Sequence, residues 1–176
     1  CDRFNYIIII IIINKGIIGS SGYLLCIPKI ETQNLFIKLL QQPNIYMSGE
    51  EALEINRLEA RMLGNTELSK GLTPAEANQL HLITSDKEKF IGYDSVFNSN
   101  NNFIKPNKVL KSFSLSEYDS KFNTLYDTDN NEVGSVSRML YSPYLKCYKG
   151  FGYFKDQNIS FCKSENNQKI ELMDLY

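Results

Sequence analysis

His81 is the only histidine in the 176-residue chain, which excludes any site built on two histidines. Leu80 and Leu82 flank it, and no cysteine or carboxylate stands at ligand spacing. A Ser/His/Asp triad is assembled in space and needs no sequence proximity, but the chain has no Gly-x-Ser-x-Gly elbow to present a nucleophilic serine. Asp127-Thr128-Asp129-Asn130-Asn131 places oxygens where the opening of a calcium loop needs them. The match then fails, because Glu132 stands where that loop has its glycine and Arg138 where it has its closing glutamate. A polar hairpin turn accounts for the same residues. Phosphate-cradling glycine loops, dinucleotide fingerprints and paired-cysteine zinc motifs are absent, and no carboxylate sits in an apolar setting that would raise its pKa. The expectation is a non-enzymatic chain without catalytic residues, metal or cofactor.

Cysteine and tyrosine offer more. Cys147 and Cys162 lie in strand-like segments with one chain reversal between them, a spacing that suits a cross-strand disulfide. Closing a loop of that size contributes about 3 kcal/mol; free thiols are the alternative. The last third is dense in aromatics, among them Tyr141, Tyr144, Tyr148 and Tyr153. Strand-face packing explains many of them. Tyrosine also offers rigid area with a polar tip, so these four are the candidate protein-binding patch. Lysine plus arginine (19) nearly balances aspartate plus glutamate (20), which leaves no basic face for a nucleic-acid backbone.

These residues must be positioned by a scaffold of ordinary composition, long enough to bury roughly 70% of its unfolded surface as a single domain, residues 1–176. Ile7 to Ile13 is an unbroken isoleucine run, too short for a membrane span of about 20 residues. Its β-branching predicts a strand over about 6–13, apolar on both faces and therefore central and covered. A second strand at about 23–27 completes a hairpin, and Pro28 ends it. Residues 31–41 carry both patterns: Leu35, Ile37 and Leu39 alternate as in a strand, while Leu35, Phe36, Leu39 and Leu40 make a helical stripe. The alternation is the reading adopted.

Ser48-Gly49-Glu50-Glu51 has the grammar of a capping box, and Ala52, Ile55, Leu58 and Met62 recur at helical spacing up to Gly64. Glu50, Glu54, Arg57 and Arg61 line another face, acids first, as the helix dipole prefers. Thr73-Pro74-Ala75-Glu76 predicts a second helix, running to about residue 82. Residues 48–83 thus read as a two-helix hairpin inserted between strands. Strand candidates follow at Phe90–Tyr93, Val109–Phe113, Phe122–Tyr126, Val133–Tyr141, Leu145–Tyr148, Ile159–Cys162 and Ile170–Met173. The asparagine-rich stretch 98–102 reads as a surface loop. The expected fold class is α+β: an antiparallel sheet or small sandwich with the helical hairpin inserted and a β-rich C-terminal half.

Cys1-Asp2-Arg3 resembles the mature start of bacterial lipoproteins, in which the first cysteine carries the lipid. With Leu24-Leu25-Cys26-Ile27-Pro28 and a small β-rich body, it is similar to periplasmic immunity lipoproteins. That resemblance covers about thirty residues. It implies lipidation of Cys1, anchoring to the inner or outer membrane on the periplasmic side, and a protein partner such as a secreted effector toxin whose active site the chain occludes. Cys26 is then left unpaired, and its burial as a small apolar group is expected. Two other classes stay open: a small hydrolase with a spatially assembled site, and a structural subunit of an envelope or phage-like assembly.

Overall fold

The computed structural model describes residues 11–14, 21–68, 71–84, 89–117, 123–165 and 167–175. The chain divides into two compact units, Cys1–Leu53 and Glu54–Tyr176.

In the first unit β1 (Ile11–Asn14) pairs antiparallel with β2 (Tyr23–Cys26), Ile11 opposite Cys26 and Asn14 opposite Tyr23. The expected hairpin pairing is present, but the expected burial is not: Ile11, Ile12 and Ile13 are 54%, 62% and 41% exposed. β1 belongs to a two-stranded sheet and is an edge strand, not a central one. The first part of the isoleucine run lies outside the described residues. After Pro28 comes α1 (Lys29–Leu40), a helix where the alternation had suggested a strand. The end charges decide the difference. Glu31 in the first turn and Lys38 in the last both oppose the helix dipole favourably, and Thr32 Oγ1 donates to the Pro28 carbonyl at the open end. None of the described residues from 11 to 53 is buried.

The second unit is built on a closed antiparallel barrel of β3 (Val109–Leu115), β4 (Thr124–Tyr126), β5 (Glu132–Ser142), β6 (Cys147–Phe154), β7 (Phe161–Lys163) and β8 (Lys169–Met173), in the order β3-β6-β5-β4-β7-β8. The expected α+β sandwich with an inserted helical hairpin is therefore incorrect. Closure has a local cause. A barrel's interior narrows as the number of strands falls, and even eight strands leave only enough room for side chains. With six, large rings fit only opposite the smallest residue. Phe113 stands opposite Gly150 across β3–β6, and Phe154 stands opposite Gly134 across β5–β6. A Cβ at Gly150 would lie 2.6 Å from Phe113 Cζ, and one at Gly134 would lie 2.7 Å from Phe154 Cδ1. Both rings are fully buried, among Leu115, Leu125, Cys162 and Ile170. Bulges between Leu125 and Tyr126 and between Val136 and Arg138 supply the bends that closing needs.

The predicted helical hairpin is replaced by shorter pieces. α2 (Glu50–Glu59) starts where its capping sequence indicates. It stops before Gly64, because Arg61 takes the left-handed conformation (φ 55°). Arg61 N–H then donates to the Leu58 carbonyl and Met62 N–H to the Arg57 carbonyl, the paired bonds of a Schellman ending. A single turn, α3 (Asn65–Leu68), follows. The second capping box is made: Glu76 N–H donates to Thr73 Oγ1, and Thr73 N–H to Glu76 Oε2. It caps only a turn, however, since Asn78 is left-handed (φ 56°) and a short 3-10 turn, Leu80–Leu82, comes next. Phe90–Tyr93 is no strand; its rings join a stack, Tyr93 on Phe97 at 4.6 Å and Phe97 on Phe103 at 4.7 Å, that closes the 98–102 loop.

Gly150→Ala is expected to cost about 1–3 kcal/mol through overpacking, because its Cβ would also lie 2.6 Å from the Arg138 carbonyl oxygen. Gly49→Ala, with nothing within 4 Å of the added carbon, serves as the neutral control. Urea midpoints of the two variants check the contrast.

Candidate functional site

Closing the barrel turns one set of β3, β5 and β6 side chains outward. Across the ladders these form rows: Leu110 beside Tyr153, Ser112 beside Phe151 and Arg138, and Ser114 beside Lys149 and Leu140. Leu58 and Leu63, with Leu175, cover this outer face, packing on Leu110, Leu140, Phe151 and Tyr153. Between the two layers lies the most concentrated charge chemistry of the described residues.

Its centre is Arg57. The guanidinium grips Glu54 with two bonds, Nε to Oε1 at 3.1 Å and Nη2 to Oε2 at 2.8 Å. Nη1 donates to Glu67 Oε2 at 2.9 Å and to the Met62 carbonyl at 2.8 Å. Its flat side lies 5.4 Å from the centroid of the Phe151 ring, a favourable place for a cation. Arg138 Nε stands 3.1 Å from Glu54 Oε2, an ion pair without the alignment of a hydrogen bond. Gly64 is required by proximity, since a Cβ there would lie 2.8 Å from Arg57 Cζ. Its N–H donates to Glu67 Oε2. Glu67 is wholly buried and its Oε1 finds no partner among the described residues.

The Arg57 hydrogen bonds hold the Glu54 carboxyl below the usual carboxylate range, against the opposing effect of burial. Burial acts to lower the Arg57 pKa, and the contacts with Glu54 and Glu67 outweigh it, so the net shift is upward. Two acids and two bases meet here, and their charges cancel. Such a set locks geometry.

Next to it runs a polar seam. Ser142 Oγ donates to Glu59 Oε1 at 2.5 Å and accepts from the Leu145 N–H. Lys149 is buried, its Nζ donating to Ser114 Oγ at 2.6 Å, and burial pushes its pKa down. Neither of the two described cavities is lined by Lys149.

The residues singled out in the sequence are dispersed. Cys1 lies outside the described residues. Cys147 and Cys162 are free thiols. β6 and β7 are separated by two strands in either direction around the barrel, so the expected disulfide between them is not formed. Cys162 faces the core, where burial pushes its thiol up to about 12. Cys26 is exposed. Tyr141 and Tyr148 are cross-strand partners with ring centroids 5.1 Å apart, and Tyr144 projects from the intervening turn, 85% exposed. Tyr153 does not join them; it packs against Leu110 and Phe151, with Lys108 Nζ 4.7 Å from its ring centroid. His81 is exposed on the 3-10 turn. Asp127 closes its own turn, accepting from the Asp129 and Asn131 N–H groups and from Asn131 Nδ2, which hold its pKa down. No group of three or more potential metal ligands occurs among the described residues.

The sequence shows Glu54 and Arg57 as part of a charged row on one helical face, and Glu67 was missed altogether. The available signal was Gly64 three residues ahead of Glu67, a small residue followed by an acid able to cap its N–H.

Arg57→Met is expected to lose about 3–5 kcal/mol, because it strands the Glu67 charge in a dry environment. Adding Glu67→Leu should recover part of that loss. The pH dependence has a fixed sign: with Glu54 depressed below its ordinary 4.5, its contribution is complete above that pH and is lost as pH falls below it. Urea titrations between pH 3 and 7 check both, and Arg57→Met should show a shallower acid limb than the wild type.

No protein-family model matches the chain, and no curated protein matches it. Among solved structures it is similar to the glycine cleavage system aminomethyltransferase T from Bartonella henselae, with 19% identity and a TM-score of 0.71. The likeness covers 94% of this chain and 48% of that one, so the chain spans about half the length of the structure it matches. At this identity the comparison establishes shared architecture alone.

Proposed function

We propose that the chain is one part of an aminomethyl-transferring protein of the glycine cleavage type, completed by further polypeptide. The observation that carries this reading is the extent of the shared architecture, which covers nearly the whole of this chain. The surface of the first unit supports it. Ile12, Tyr23, Ile30 and Tyr46 are between 62% and 84% exposed. An isolated two-stranded sheet is marginal by itself, and apolar surface of this kind marks a face that another chain segment covers. In this reading the Arg57 cluster is a positioning device, which holds the 54–68 stretch on the barrel so that the transfer site can be completed elsewhere. The reading departs from the non-enzymatic expectation.

The tyrosine tip of β5 and β6 favours a second reading, the envelope-anchored lipoprotein of the periplasm that binds and occludes a toxin. Tyr144 and Tyr141 would be its contact surface, and a lipid on Cys1 its anchor.

A bacterium deleted for its glycine-cleavage aminomethyltransferase tests the first reading. The natural gene product that contains this sequence should restore glycine breakdown. Leu24→Lys in that product, on the exposed face of β2, should reduce the rate by about tenfold or more, ~1.4 kcal/mol, with the melting of the barrel unchanged. Soluble product that restores nothing contradicts the reading, and acyl groups found on its Cys1 would then favour the second.

A further inference from the structure

The outer face of the β7–β8 ribbon carries charges in an arrangement that barrel packing does not require. Lys163 and Lys169 are direct cross-strand partners, and like charges directly opposite one another destabilise a ladder. Neither takes part in an ion pair among the described residues. Lys163 Nζ donates to the Thr128 carbonyl at 3.2 Å. Its charge also reaches Asp127, but both oxygens of that carboxylate are occupied within their own turn. Lys169 Nζ stands 5.0 Å from the centroid of the Phe161 ring, which is 47% exposed.

Two cavities flank this ring. One, of about 500 Å³, is lined by Ser160, Phe161, Lys169 and Glu171, so a carboxylate accompanies its single cation. The other, of about 280 Å³, is lined by Thr128, Phe161, Lys163, Asn167 and Lys169, together with Cys162. Both lysines line it, and among the described residues no acid does. Its rim is set by the β7–β8 turn, where the Asn167 N–H donates to the Ser164 carbonyl and the Ser164 N–H to the Gln168 carbonyl. The volume lies at the lower limit for ligand sites, which suits a small molecule.

We propose that this cavity binds a small planar organic anion, with its charged group between the Lys163 and Lys169 ammonium groups and its flat portion against Phe161. The anion relieves the lysine opposition, and the aromatic face gives preference for a conjugated body over a saturated one. The site is independent of the aminomethyl-transfer reading, since it rests only on the β7–β8 ribbon and the turn before β5.

The test is an amide NMR titration of the full chain with benzoate, cyclohexanecarboxylate and inorganic phosphate as probes. Benzoate should give saturable shifts at Phe161, Lys163, Asn167 and Lys169, and should bind more tightly than either other probe. Lys163→Gln and Lys169→Gln should each weaken it by about tenfold, as expected for loss of one charged contact, and Phe161→Ala should abolish the preference over cyclohexanecarboxylate. Without ligand, Lys169→Glu should raise the melting temperature while eliminating binding. Non-saturable shifts, equal affinity for all three probes, benzoate binding indifferent to both glutamine variants, or a Lys169→Glu protein that melts no higher than the wild type would each overturn the proposal.

Discussion

The second unit depends on a steric bargain inside a narrow barrel: two phenylalanine rings fill it, and each stands opposite a glycine. Phe113 occupies the space that a side chain at Gly150 would take, and Phe154 the space at Gly134. The inward positions of β3, β5 and β6 are committed by this arrangement. Because side chains alternate along a strand, the outward positions follow from it. Phe151 and Lys149 then face away from the barrel interior, and the bulge between Val136 and Arg138 turns Arg138 out beside Phe151. Phe151 is the floor beneath Leu58 and Arg57, and Arg138 pairs with Glu54 there. The interior thus decides where the charged chemistry of the outer face can lie.

The Arg57 cluster contributes more to geometry than to net stability. Taking a guanidinium and two carboxylates out of water costs several kcal/mol per ion, and good hydrogen bonding only offsets that cost. The gain is uniqueness: the bidentate grip on Glu54, the Met62 carbonyl and Glu67 define one placement of the stretch after α2. Gly64 is required because the guanidinium occupies the place of its side chain. The Arg61 left-handed turn brings Met62 back to a position where its carbonyl can accept from Arg57.

Most barrel strands were legible as alternation, and β3, β5 and β8 appear close to their expected bounds. The strand expected at Leu145–Tyr148 stops short of the end of β6 at Phe154; Gly150 and Gly152, in the part it leaves out, are the spaces that admit aromatic rings. Closure was not legible, since the pairing of β3 with β8 joins residues some sixty positions apart and no local pattern encodes it. The same limit applies to Cys147 and Cys162, neighbours along the chain and distant around the barrel. The α1 segment satisfies both periods, Leu35, Ile37 and Leu39 as a strand and Leu35, Phe36, Leu39 and Leu40 as a helix, and the charges at its ends are what favour the helix. Of the ionic cluster, only the helical row Glu54 and Arg57 was visible. Its burial comes from Phe151 and Leu110, far along the sequence.

Native-state hydrogen exchange measures this account most directly. If the ring-and-glycine interior holds the unit together, amides of β3, β5 and β6 around Phe113, Gly150 and Phe154 exchange only through global unfolding, as a single cooperative set. Amides of β1, β2 and α1, which lack a buried residue, exchange orders of magnitude faster. Fast, uncorrelated exchange of Phe113, Gly150 and Phe154 under conditions where α1 is protected would contradict it.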